Sequence, residues 1–287
     1  MIIKDKIAAK VLRSNPNNVR QPPTGDDPNG VFIMMREAHY LAKLPFRARN
    51  HADLVRLAGG VFDDVDERLR HKSVVRILEL GCGYGGVLLE LWQRYGARVE
   101  LHGINRRHGD GNVEILMRTG IDRGLIVPGS PLEGPLPTIS YGDVADGLPY
   151  ADDSFDVVYS QVAWLYFGNK VAVLREVSRI LANDGIAKID ADELRPALPP
   201  EYGRLVEIWE DRKLLPFGRY LQQFDMQLAP APEGEYLRFG KAPHFGTDLE
   251  LVVQIDLSRI SPNWDGVKCI YRRLPAGVDA SAPTAPR

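Results

Sequence analysis

The sequence predicts an α/β fold built on a mostly parallel sheet, and three observations carry that prediction. From Val74 onward, short β-branched runs alternate with stretches of helical period. The first run ends on glycine and leads straight into a helix-period segment. Near the end of the chain, alternation of apolar with polar residues marks a strand of a different kind. A chain of 287 residues with 44% hydrophobic and 26% charged residues is large enough to bury a substantial core.

Each element follows from its local pattern. Val74–Leu80 (VVRILEL) reads as a buried strand. Val87, Leu88, Leu91, Trp92 and Tyr95 mark one face of the helix that follows. Arg98–Ile104 is a second strand and Asn112–Arg118 a second helix. Ile121–Thr138 is rich in Pro and Gly and reads as a long loop. Ile139–Tyr141 and Phe155–Ser160 are strands. Val171, Leu174, Val177, Ser178 and Leu181 mark a helix that stops near Asn183-Asp184-Gly185, and Ile186–Ile189 is a fifth strand. At the C-terminus, Leu249–Leu257 alternates and Val267–Arg272 forms a partner strand. A turn between them predicts antiparallel pairing.

The chain divides into three expected parts. Residues 1–70 form a helical extension, with short helices expected at Ile2–Leu12, Val31–Leu44 and His51–Leu69. Ser14–Gly30, dense in Asn, Pro, Gly and Asp, is a strap within it and a candidate lid over the ligand site. Residues 71–275 form the main domain. Residues 276–287, rich in Ala and Pro, read as a disordered tail.

Composition narrows the function. A net charge of -2 gives no global pull toward nucleic acid or an anionic membrane. No apolar run reaches the ~20 residues of a membrane span, and Met1–Arg13 lacks a signal-peptide pattern. Cys82 and Cys269 offer neither a disulfide framework nor metal-ligand spacing, so no metal is expected and the expected location is the cytoplasm.

The sharpest motif is Glu79-Leu80-Gly81-Cys82-Gly83-Tyr84-Gly85-Gly86, between a strand and a helix. Glycines there permit a tight turn and let a ligand approach bare backbone. The helix N-terminus behind it carries unpaired N–H groups. Gly81, Gly83 and Gly86 also satisfy the dinucleotide spacing G-x-G-x-x-G. Two features weigh against a dinucleotide. Glu79 would repel a pyrophosphate and suits a cationic ligand. The second strand ends Gly103-Ile104-Asn105, with an amide where a ribose-binding acid is expected.

Together with this turn, GIN (Gly103–Asn105), YGDVADGLPYADDSFDVVYSQ (Tyr141–Gln161) and LREVSRILANDGIAKI (Leu174–Ile189) appear in order. Residues Val74–Ile189 thereby resemble the core of class I methyltransferases that use S-adenosylmethionine (SAM), of the broad small-molecule and sterol type. The resemblance implies a Rossmann-like, seven-stranded, mostly parallel sheet whose last two strands form the C-terminal hairpin at Leu249–Arg272. It implies that Glu79, Gly81, Cys82 and Gly83 meet the methionine part of SAM. It puts Asn105 at the ribose, where most relatives have Asp or Glu, and Asp143 and Val144 at the adenine. Ser160 faces the methionine end, and S-adenosylhomocysteine is the implied product.

Candidates for the acceptor side are Gln161, Trp164 and Asp192, with Asp190, Glu193, Tyr166 and Phe167 as further neighbours. Packing or a solvated acidic loop accounts for several of these equally well. His39, His51, His108 and His244 are each more readily structural than catalytic, and no catalytic base stands out. The turn Arg106-Arg107-His108 reads as solvated. The expected acceptor is a small molecule under a roof formed by the N-terminal helices and Arg195–Phe245, with neither nucleic acid nor membrane as partner. The alternatives are a methyltransferase acting on RNA or protein, an NAD-linked oxidoreductase, and a protein that holds SAM without catalysis.

Overall fold

The computed structural model describes residues 32–34, 49–132, 134–191, 204–257 and 266–275. The expected strap at Ser14–Gly30, the helix at Ile2–Leu12, Asp192, Glu193 and the tail lie outside these residues.

The main sheet has seven strands. They are β2 (Val75–Leu80), β3 (Val99–Asn105), β4 (Thr138–Tyr141), β5 (Phe155–Ser160), β6 (Leu181–Ile189), β9 (Gln227–Ala231) and β10 (Gly234–Phe239), in the order β4-β3-β2-β5-β6-β10-β9. Strands β4 to β6 in that order are parallel, and β10 runs antiparallel to both β6 and β9. Chain direction across the sheet reverses between β2 and β5. In open α/β sheets, such a switch point is where ligands bind, outside the carboxyl ends of the strands.

Both faces of this sheet are covered, and β5 is accordingly buried at all six positions. One face packs under α1 (His51–Ala58), α2 (Phe62–Arg68), α3 (Gly86–Tyr95) and α4 (Val113–Asp122), through Leu54, Val65, Leu88, Trp92 and Leu116. The other face meets α5 (Lys170–Ile180) and a second sheet.

The second sheet is five-stranded, in the order β1 (Phe32–Met34), β11 (Leu249–Asp256), β12 (Val267–Arg273), β7 (Val206–Glu210) and β8 (Lys213–Pro216). Here the expectation is corrected. Strands β11 and β12 do form an antiparallel hairpin, but in this sheet. The main sheet ends instead on β9 and β10. Tyr271 shows why the hairpin lies where it does: its hydroxyl donates to Asn169 Oδ1 (2.9 Å) and accepts from Val171 N–H (2.9 Å), joining β12 to the start of α5.

Other boundaries shift for local reasons. His51–Leu69 is two helices, because Gly59 and Gly60 both take left-handed backbone (φ 73° and 70°). Of Val31–Leu44, expected as helix, the described part is strand β1, parallel to β11. Helix α5 stops at Ile180 and β6 begins at once, so Asn183-Asp184-Gly185 is an irregularity within a strand. The described part of the expected roof, 204–245, is woven into the two sheets as β7–β10 with a short turn of helix at Gly218–Leu221.

Helices α1 and α2 are tied directly to the main sheet. Lys188 of β6 donates to the Gly60 carbonyl (3.0 Å) and pairs with Asp64 (2.5 Å). His51 begins α1, and its backbone N–H donates to Glu90 on α3 at 2.6 Å.

Candidate functional site

The site is built at the carboxyl ends of β2, β3 and β5. After β2 the chain turns through Gly81, Gly83 and Gly85 at φ of 69°, 52° and 72°, a region that L side chains rarely adopt. Helix α3 then starts at Gly86. A Cβ at Gly81 would lie 2.4 Å from that of Ala163, and one at Gly86 would lie 2.0 Å from the Arg49 carbonyl oxygen. The chain ahead of α1 thus runs against the N-terminus of α3. No sequence pattern around Arg49 signals that contact.

Glu79 is 4% exposed and accepts from the Tyr159 hydroxyl at 3.0 Å. The two residues are partners across β2 and β5, so they share a face of the sheet. Burial pushes the Glu79 carboxyl up to about 8, against a smaller downward pull from the Tyr159 bond. Cys82 is buried too, and its thiol is pushed up, first by burial and then by Glu79. It fills the space that the missing side chain of Gly103 leaves open.

Asn105 ends β3 and is 3% exposed. Its Oδ1 accepts from Gly83 N–H (2.8 Å), and its Nδ2 donates to the carbonyls of Gly83 and Gly111 (both 3.0 Å). Both amide donors are therefore committed to backbone, where the ribose expectation left the side chain open. Gly111 belongs to this arrangement although the sequence did not single it out. A Cβ there would lie 1.8 Å from Gly83 O, so only glycine lets the two loops touch.

Asp143 follows β4. Its Oδ1 accepts from Ala145 N–H (3.0 Å), and its Oδ2 pairs with Arg106 Nε (3.4 Å). Arg106, expected in a solvated turn, is thus engaged beside the adenine-site candidate. Val144 is buried at 6% exposure. Ser160 is fully buried, and its hydroxyl donates to the Leu80 carbonyl at 3.1 Å.

Of the acceptor-side candidates, Gln161 and Trp164 are buried, and so is Asp190. Trp164 packs edge-on against Phe167, and Lys170 Nζ lies 5.5 Å from its ring centre. Asp190 accepts from Val162 N–H, which joins the ends of β5 and β6. Among the histidines, His51 stacks on Phe62, and its Nε2 accepts from Val61 N–H at 3.1 Å. Burial and nearby Arg94 lower its pKa to about 4, which fits a structural imidazole. Among the described residues, no group of three His, Cys, Asp or Glu could hold a metal, and no helix is long and apolar enough to cross a membrane.

Residues 78–189 match the family model described as a methyltransferase domain. Among curated relatives, a glycine/sarcosine/dimethylglycine N-methyltransferase of Actinopolyspora halophila is 28% identical over 182 residues, covering 48% of this chain and 30% of the relative. A sarcosine/dimethylglycine N-methyltransferase of Halorhodospira halochloris is 29% identical over 109 residues, covering 38% and 34%. The chain spans about a third of the length of these curated relatives. A solved SAM-dependent methyltransferase from Aquifex aeolicus is 16% identical, covering 65% of this chain and 92% of that one, with a TM-score of 0.41. Residues 78–189 are thus similar to a methyltransferase domain, and the likeness to the named methyltransferases is confined to part of each chain.

Proposed function

We propose that the protein transfers a methyl group from SAM to a small-molecule acceptor, releasing S-adenosylhomocysteine. The single observation behind this reading is the strand–glycine turn–helix at the switch point of the sheet, within the span that matches the methyltransferase domain. The relatives' named substrates, sarcosine and dimethylglycine, favour a small acceptor.

SAM supplies a methyl on a sulfonium: an acceptor lone pair forms the new bond while the carbon–sulfur pair leaves with sulfur. The donor is already activated, so the protein's task is to align the reactants and exclude water. Gly81, Cys82 and Gly83 bring bare backbone close to the methionine part, with Glu79 beneath them and Ser160 beside them. Asp143 and Val144 hold the adenine. Asn105 braces Gly83 and can offer its second Oδ1 lone pair to the ribose. Gln161, Trp164 and Asp192 belong to the acceptor side. Residues 71–275 act as the catalytic unit, in the cytoplasm and without nucleic acid or membrane as partner.

Titration calorimetry with SAM, S-adenosylhomocysteine and NADH tests this reading. SAM and its product are expected to bind and to raise the melting temperature, as ligands selective for the folded state must. Binding of NADH alone would overturn it.

A further inference from the structure

The end of β5 and the turn after it are held from three sides. Ser160 donates to Leu80 O of β2. Ala163 occupies the space beside Gly81. Val162 N–H donates to Asp190 Oδ2 at 3.2 Å, and Val162 adopts φ 64°. A β-branched side chain rarely tolerates left-handed backbone. Such strain persists only where the surroundings over-determine it, and it concentrates at ligand clamps.

Gln161 sits within this turn. It is 6% exposed, and its Nε2 is buried with no hydrogen-bond partner. Three residues on, Trp164 is 1% exposed and its Nε1 is unpaired as well. An unpaired buried donor is costly, and native structures leave few of them. Two occur here within four residues, at the carboxyl end of β5 and beside the glycine turn. Both atoms donate and neither accepts, so the partner they await offers oxygen lone pairs.

We infer that Gln161, fixed by the Val162–Asp190 contact, anchors the methyl acceptor by donating from Nε2 to an oxygen of that molecule, with Trp164 Nε1 as a second donor. The acceptor class is therefore a small molecule bearing a carboxylate or carbonyl oxygen. Asp190 is a positioning residue that acts through Val162. This inference rests on the methyltransferase reading and names the chemistry of its acceptor side.

The test uses the full chain saturated with S-adenosylhomocysteine. Three probes are titrated: dimethylglycine (a carboxylate), N,N-dimethylglycinamide (a neutral carbonyl) and trimethylamine (no oxygen). At least one oxygen-bearing probe binds and trimethylamine does not, and the stronger of the first two identifies the oxygen type. Gln161→Leu and Gln161→Glu each weaken that binding by roughly tenfold or more, the scale of one lost hydrogen bond with its buried partner. Trp164→Phe weakens it less. S-adenosylhomocysteine affinity stays at the wild-type value in all three. Gln161→Leu also raises the melting temperature of the free protein, because it removes an unpaired donor. Asp190→Ala weakens probe binding, and Asp190→Asn, whose Oδ1 still accepts from Val162 N–H, largely retains it. Equal binding of trimethylamine, tighter binding by Gln161→Glu, failure of both oxygen-bearing probes, or indifference to Gln161→Leu would overturn the inference. If the wild-type chain bound no S-adenosylhomocysteine, the methyltransferase reading would fall and the anchor with it.

Discussion

The Asn105 carboxamide brackets the Gly83 peptide, accepting from its N–H at 2.8 Å and donating to its carbonyl at 3.0 Å. A carboxylate at this position would keep the first bond and lose the second. It would also face the Gly111 carbonyl, to which Nδ2 now donates. Asn105→Asp is therefore expected to weaken SAM binding and lower stability by about 1–3 kcal/mol, the cost of leaving buried acceptors unpaired. Calorimetry and thermal unfolding measure both. Tighter SAM binding by the variant would show that the ribose, and not the loop, governs this position.

Glu79 and His51 set opposing pH dependences. Glu79 holds its proton up to about 8 in the folded state, against 4.5 for its reference. The folded protein thus binds the extra proton between those values, and stability falls as pH rises through that window. His51 resists protonation down to about 4, against 6.5. There the unfolded chain binds the extra proton, and stability falls as pH drops from 6.5 toward 4. The two oppose each other between about 4.5 and 6.5. From 6.5 to 8 Glu79 acts alone of the pair, so stability declines there by at most about 1.4 kcal/mol per pH unit. Glu79→Gln should flatten that decline in melting curves recorded across the window. A slope unchanged by the variant would assign it elsewhere.

Neutral Glu79 also bears on ligand binding. A cation above the glycine turn would draw the proton off, so SAM binding near pH 7 should release protons. Calorimetry in buffers of different ionisation enthalpy reads this directly. Glu79→Ala should abolish the release and weaken SAM by about 1–3 kcal/mol.

Gly86 opens α3, where alanine would ordinarily stabilise the helix by ~1 kcal/mol. Its Cβ would lie 2.0 Å from Arg49 O, so the collision outweighs propensity. Gly86→Ala should lower stability and loosen the chain ahead of α1, seen as faster hydrogen exchange at residues 49–54. A stabilised Gly86→Ala variant would contradict this packing.

Val162→Gly separates strain from function. Glycine relieves the left-handed backbone but adds freedom to the unfolded chain, two effects of about 1 kcal/mol that nearly cancel. Stability should stay close to wild type while methyl transfer slows, because the turn carrying Gln161 loosens. An unchanged rate would separate the strain from function.

The sequence by itself determined the elements from Val74 to Ile189. Strands β2 and β5 are buried on both faces and read as near-continuous apolar runs, and the glycine turn carries its own φ requirement. The alternation around Leu249–Leu257 likewise marked β11, although the structure buries Gln254 and Asp256 as well as the apolar positions. The tertiary structure alone decided where β11 and β12 went, since antiparallel pairing specifies a neighbour and not a sheet. It alone revealed β7 and β8, whose tight turn uses Asp211 and Arg212 at positive φ and so lacks the usual Asn or Gly signal. Strand β9 was hidden by Pro230, tolerable there because β9 is an edge strand. At the candidate site, the sequence named the residues but not their partners. That Asn105 spends its amide on Gly83 and Gly111, and that Gln161 Nε2 has no partner, depends on which atoms long-range packing brings within 3 Å, and no local pattern encodes that.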